Sequence, residues 1–397
     1  MMDPTQLIGP PSPLGAPAPY WFIAFLKVLG FTLHMAPMHV WYAGLLTALL
    51  LAWSRHPHAG TLSARLMRRM PIIVAYGVNF GIVPLLFIQV SYYRVFYSAT
   101  ILMAWPWFSI VVLLTLAYYG IYIYSSGLRS PAGLTGFHQL AGWVASLLFI
   151  VIGFVFANGF SLMTNVRAWP QLWLKTSVSG AALGTALNTA DPTFWPRWLM
   201  MFGLAITTTA AYIAVDAGLF ASREPDDYKR WACGFAVKLY TLGIVWFATA
   251  GSWYVFGAWP ADARQYMFGG PLVLLTTLTA VGPGLPWLFI LMQSRAVGTQ
   301  SRFALAAGIA QLGVLALNAV SRQVLQNAEL HRFLDVTAEP VTIQWSPLVL
   351  FVLLLVGGLV VITWMVAKIT VAERRGSSGR EGTGLGGRLR PQPVRPR

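Results

Sequence analysis

The chain has 397 residues, 57% of them hydrophobic and only 10% charged, with a mean hydropathy of +0.63. A soluble domain carries roughly 25% charged residues, so this composition excludes a water-covered globule and leaves lipid as the covering. The net charge of +15 then reads as topology signals and phospholipid contacts, with no nucleic acid as partner.

The N-terminal residues 1–20 form a Pro-rich extended lead-in without the positive stretch and cleavage site of a signal peptide. Apolar runs of roughly 20 to 30 residues follow, the length a helix rising ~1.5 Å per residue needs to cross a ~30 Å hydrocarbon core. They predict an all-α, polytopic transmembrane helical bundle of about nine helices over residues 21–372. The spans fall at 21–53, 71–93, 103–125, 137–164, 197–221, 231–258, 266–293, 302–322 and 346–370. The eighth, holding Gln311, Asn318 and Arg322, is the most polar and is open to being re-entrant or tilted. Residues 373–397 are Gly/Arg/Pro-rich without apolar periodicity and read as a disordered basic tail.

Lys and Arg in alternate loops number 18 on one side, tail included, and 7 on the other. The positive-inside rule puts the richer side in the cytoplasm, so the N-terminus is out and the C-terminus in. Two outer segments are longer than turns. Residues 165–196 are Trp-rich and suited to the membrane interface, and 323–345 form a polar cap that could dock a partner.

Polar groups inside a membrane are costly and are the first functional candidates. Span 1 carries LHMAPMHVW, with His34 and His39 near mid-membrane and Pro37 between them. Five residues set them about 140° apart on a regular helix, on different faces unless the proline bends it. Neutral imidazole at this depth suits haem iron; a histidine hydrogen-bonded across helices is the alternative. His138 opens span 4 in GFHQLAGW. Asp216 and Lys238, each a few residues from one cytoplasmic loop, are expected to form a structural ion pair, with a proton-path role as the alternative. In span 2, GVNFGIVPLLFIQV predicts a kink at Pro84. The single Cys233 excludes a cysteine-based metal site. There is no P-loop, no HExxH and no paired intramembrane carboxylate.

Taken in order, these segments resemble subunit I of the cytochrome bd-type quinol oxidases. His34 with Pro37 is similar to that family's helix 1. GVNFGIVPLLFIQV resembles its helix 2, His138 and FANGFSLM the two ends of its helix 4, and PRWLMMFGLAITT the start of its helix 5. The resemblance covers the first five helices. It implies an inner-membrane subunit of a bacterial respiratory chain that binds haem b through His34 (with His39, His138 or Met200 as second ligand) and takes electrons from quinol. It also implies a second membrane subunit and a periplasmic electron carrier such as a c-type cytochrome.

This chain departs from the family pattern in three places. Met200 stands where the family has a haem-ligating histidine, and leucines follow Pro84 where it has a glutamate. About eight residues around WPADARQYM replace its long quinol-binding loop. These departures point to electron relay through a single haem. A haem-free anchor of a redox complex and a secondary transporter built on Asp216, Lys238 and the kinked helices are the alternatives.

Overall fold

The computed structural model describes residues 3–296 and 301–358, with 360, 361, 364 and 368. They fall into two compact units that meet in sequence between Pro340 and Val341. In the first unit, eight helices are long and apolar enough to cross a membrane. Spans 1 to 8 are Tyr20–Ala52, Ala59–Ser91, Ala104–Gly127, Gly136–Thr164, Phe194–Phe220, Asp226–Ala258, Leu272–Arg295 and Ser301–Leu330. The protein is a helical membrane bundle. Of the second unit, the apolar helix Trp345–Gly358 is described. The rest of the expected ninth span and the tail 373–397 lie outside the described residues, four single positions of that span excepted.

Three boundaries differ from the hydropathy reading. Span 2 starts at Ala59 rather than 71, because its charged first turns are amphipathic. Leu62, Leu66 and Met70 recur at intervals of four and are buried, while Arg65 and Arg69 between them find carboxylates. Residues 266–271 do not open span 7. Ala261–Met267 form a separate short helix after Pro260, and span 7 itself is interrupted at Pro283, whose ring cannot donate to the helix ladder. Span 8 is one continuous helix of 30 residues, so the re-entrant alternative falls. Gln311, Gln323 and Gln326 on it are buried instead of ending the helix.

Span 1 runs for 33 residues, about 50 Å at helical rise. It absorbs Pro37 and then a π-helical turn at Val40–Gly44. Such a turn inserts a residue and rotates the face that follows, and here all five of its residues are buried. Similar turns sit at Asp216–Phe220 in span 5 and Trp253–Ala258 in span 6.

Close helix contacts are set by glycine. Gly77 and Gly81 of GVNFG lie one turn apart on span 2. A methyl at the first would sit 2.0 Å from the Trp41 ring, and at the second 2.7 Å from the His34 ring. Small residues at this spacing let membrane helices approach, and here they form a shelf for two large side chains of span 1. Gly203 of span 5 meets the backbone of span 6 directly: a methyl there would lie 2.6 Å from the Phe247 nitrogen.

The segment after span 4 is pinned by the FANGFSLM residues. Asn158 Oδ1 accepts from the Asn188 backbone N–H at 2.9 Å, and Asn188 Nδ2 donates to Ser161 Oγ at 2.6 Å. Trp169 is wholly buried and donates its indole N–H to the Leu162 carbonyl at 2.9 Å. It closes the end of the bundle instead of lying at the interface, a place better fitted by Trp195, which is 40% exposed.

Candidate functional site

The two histidines of span 1 diverge, as their spacing predicts. His34 faces span 2: its Nδ1–H donates to the Gly77 carbonyl at 2.7 Å, and its ring meets Trp41 edge-on at 5.9 Å. A carbonyl can only accept, so the proton is on Nδ1 and the lone pair on Nε2. The ring is half-buried.

His39 faces span 5 and is wholly buried. Its Nδ1 lies 3.0 Å from Thr208 Oγ1. That hydroxyl spends its own proton on the Leu204 carbonyl at 2.8 Å, so His39 donates from Nδ1 and keeps its lone pair on Nε2. Its Nε2 is buried with no partner among the described residues. Both histidines thus hold the tautomer of metal-ligating imidazoles, in which Nδ1–H is tied to an oxygen and Nε2 is left as donor to the metal.

Behind His39 the polar chain continues across four spans. Gln311 of span 8 donates from Nε2 to Thr208 Oγ1 at 3.0 Å, and Tyr240 of span 6 donates its hydroxyl to Gln311 Oε1 at 2.6 Å. All four side chains are buried. Linked hydrogen bonds in low dielectric hold their members firmly, and these fix His39 through Thr208.

The other candidates stand apart. His138 caps span 4: its Nδ1 accepts from the Thr135 backbone N–H at 3.1 Å and lies 2.8 Å from Thr135 Oγ1. That use of Nδ1 puts the ring proton on Nε2 and leaves no lone pair for a metal. Met200 lies half-buried in span 5, among Met35, Leu204 and Phe247 on one side and Tyr254 and Leu325 on the other. No hydrogen bond or ring contact joins it to His34 among the described residues. The four predicted ligands are therefore not brought together.

The expected ion pair of Asp216 with Lys238 is replaced by another. Asp216 takes a two-pronged bond from Arg65 (Nε at 2.7 Å, Nη2 at 2.9 Å) and a third from Arg69 at 2.9 Å. Arg65 also reaches Glu224 at 2.9 Å. Lys238 is on the exposed face of span 6. The planar fork of arginine matches a carboxylate as a point charge does not, and the extra turns of span 2 bring two such forks to Asp216.

Towards the lead-in end, a second charged group has no such closure. Lys27 is 5% exposed. Its Nζ lies 4.2 Å from the centre of the Tyr92 ring and has no hydrogen-bond partner among the described residues. Arg322 of span 8 stacks between Phe31 and Phe160, 4.7 and 5.1 Å from their ring centres. Arg197 holds Glu329 at 3.0 Å. In the loop-charge count Arg322 falls at a span end. It stands eight positions inside the end of span 8, and only the three-dimensional neighbours reveal that it is enclosed. Lys27 is visible in the sequence as a charge inside a span, but with no partner to suggest a role.

No family model and no curated protein matches this chain. Among solved structures, the bd oxidase from Geobacillus thermodenitrificans aligns over 94% of this chain and 99% of that chain, with a TM-score of 0.64 and 13% sequence identity. At that identity the likeness is one of fold, and it spans nearly the whole of both chains. The chain has the helical fold of bd oxidase, as a distant structural relative of it.

Proposed function

We propose that this chain is a bd-oxidase-like subunit of a respiratory chain in a bacterial inner membrane, holding a b-type haem on His34 and relaying electrons between quinol and a partner. The observation that carries the reading is the His34 bond to the Gly77 carbonyl, on a ring left half-buried. That carbonyl fixes the ring plane and the tautomer together, and Gly81 leaves the space in which the ring turns. His39 has the same tautomer, but its Nε2 is enclosed, which makes it the weaker ligand. A haem bound through His34 supplies one-electron chemistry. The protein supplies the imidazole, its orientation and an apolar surround that sets the potential.

Leu85 and Leu86 follow Pro84 in span 2, so no carboxylate stands there to deliver protons to reduced oxygen. This favours relay over oxygen reduction. The likeness to bd oxidase supports a second membrane subunit as partner, and a periplasmic carrier such as a c-type cytochrome is the acceptor we assign to the part of the polar cap in the first unit, residues 323–340.

The test is a dithionite-reduced minus oxidised visible spectrum of the detergent-solubilised protein from haem-replete cells, repeated on His34→Ala. A haem b band in the wild type that is lost in the variant is the expected result. A colourless wild type would sink the haem reading and leave a haem-free anchor or a transporter.

A further inference from the structure

The segment between spans 4 and 5 turns part of itself outward. Trp169–Thr176 form a helix of eight residues. Its Leu172 and Trp173 pack against the core, while Leu174 and Lys175 beside them are exposed. A hairpin follows, pairing Ser177 with Ala182 and Val178 with Ala181. Its turn residues, Ser179 and Gly180, both take positive φ (52° and 79°), the turn that matches the twist of paired strands. The Leu183 N–H extends the pairing by donating to the Thr176 carbonyl at 2.8 Å. A two-stranded hairpin is marginal in water by itself, yet this one turns apolar side chains outward. Leu174 is 74% exposed and Val178 57%, and Leu183 and Leu187 are exposed after them.

Backbone bonds fix the height of this apolar strip. The Trp105 N–H donates to the Gly184 carbonyl at 2.9 Å, and the Ala186 N–H donates to the Leu102 carbonyl at 2.9 Å. A methyl at Gly184 would sit 2.9 Å from the Ala104 side chain. Residues 184–186 therefore lie against the first turn of span 3, where Trp105 and Phe108 are exposed on the surface that lipid covers. Tryptophan at a span end marks the membrane–water interface. The strip is level with that interface and adjoins a surface already turned to lipid.

Its charge fits the same place. Residues 165–190 contain Arg167 and Lys175 and no acidic residue. Arg167 lies over the Phe333 ring, and no ion pair reaches Lys175 among the described residues. An exposed amine on a long apolar stem, set beside exposed leucines, suits a phospholipid phosphate with acyl chains next to it.

We propose that residues 174–187 form a foot resting in the nearer leaflet of the membrane, with Leu174, Val178 and Leu183 among the acyl chains and Lys175 on a lipid phosphate. Asn188 follows the foot and is bonded to Asn158 and Ser161, so the foot ties that end of span 4 to the membrane surface. None of this depends on the haem reading.

The experiment places a nitroxide at Val178 (Val178→Cys) of the full-length chain in nanodiscs of phosphatidylcholine and phosphatidylglycerol. A second label at exposed Ala338 (Ala338→Cys) in the polar cap gives the aqueous reference. Cys233 is wholly buried and stays in place; the unsubstituted chain, taken through the same labelling, shows that it does not react. Power-saturation EPR reads collisions with oxygen, which concentrates in acyl chains, and with a water-soluble nickel chelate. The ratio of oxygen to nickel collisions is expected to be several-fold higher at Val178 than at Ala338. Adding Lys175→Glu to the Val178-labelled chain is expected to lower that ratio, because the new carboxylate is repelled by the anionic lipid. A ratio at Val178 no higher than at Ala338 would put the hairpin in water and overturn the foot. Few collisions with either reagent would mean that a protein surface covers the hairpin, which overturns it equally. A high ratio unmoved by Lys175→Glu would overturn the phosphate contact and leave the apolar foot standing.

Discussion

The bundle buries cationic side chains at both ends of span 2's neighbourhood, and the two ends treat them oppositely. At the Arg65 end, two guanidiniums converge on Asp216 and one continues to Glu224, so charge is closed within the chain and the partners come from spans 2 and 5. At the Lys27 end, an amine and a guanidinium sit against aromatic rings, and no ion pair reaches either among the described residues. A closed cluster has its job done when the helices meet. The same residue types are thus paired with carboxylates in one place and stacked on rings in the other.

The strongest way to break that contrast is Asp216→Asn. It removes one negative charge and leaves two arginines, held in that geometry, without it. Breaking a buried pair from one side costs about 3–5 kcal/mol, and the lower figure is expected because Arg69 is partly exposed. Thermal unfolding followed by tryptophan fluorescence should show a large fall in Tm; a shift within error would mean that the cluster contributes nothing. Lys27→Met should move the chain the other way, upward by about 1 kcal/mol, since a buried amine with no hydrogen-bond partner among the described residues is replaced by an apolar side chain of similar length. A fall in Tm for Lys27→Met would show that Lys27 already has a partner.

The eight described spans are legible in the sequence because length and apolarity alone define them, and simple helical geometry separates the faces of His34 and His39. What depends on distant pairing is not legible. Arg65 and Arg69 look like loop charges because Asp216 lies some 150 positions away (|i−j| = 151 for Arg65), and a helix end drawn where charge begins comes about a dozen residues too late, at 71 rather than Ala59. Lys238 is the natural partner of Asp216 by depth alone, and depth does not say which face each presents. His138 matches a motif, but whether its Nδ1 is spent on Thr135 is decided by the loop before it. The shelf of Gly77 and Gly81 stands in the sequence as two letters, and its meaning appears only with Trp41 and His34 resting on it.

The smallest effect concerns how the carboxylates of the polar cap are engaged. Glu339 is held by Arg94 at 2.8 Å. Asp335 accepts from the Thr337 hydroxyl at 2.6 Å and from its backbone N–H at 2.9 Å, and these bonds hold its carboxyl below the usual 3.8. A carboxyl lowered in the folded state contributes stability that is fully present above its unfolded value and is lost as pH falls through the folded value. Hydrogen-exchange protection of residues 333–340 should therefore hold down to pH values below the ordinary carboxylate range and then drop. Thr337→Val deletes the hydroxyl donor and keeps the backbone one, so the drop should move to higher pH by a fraction of a unit, with no change near neutrality. If the wild-type segment already opens at the ordinary carboxylate pH, Asp335 is not tied to Thr337. A carboxylate would then be free at the cap.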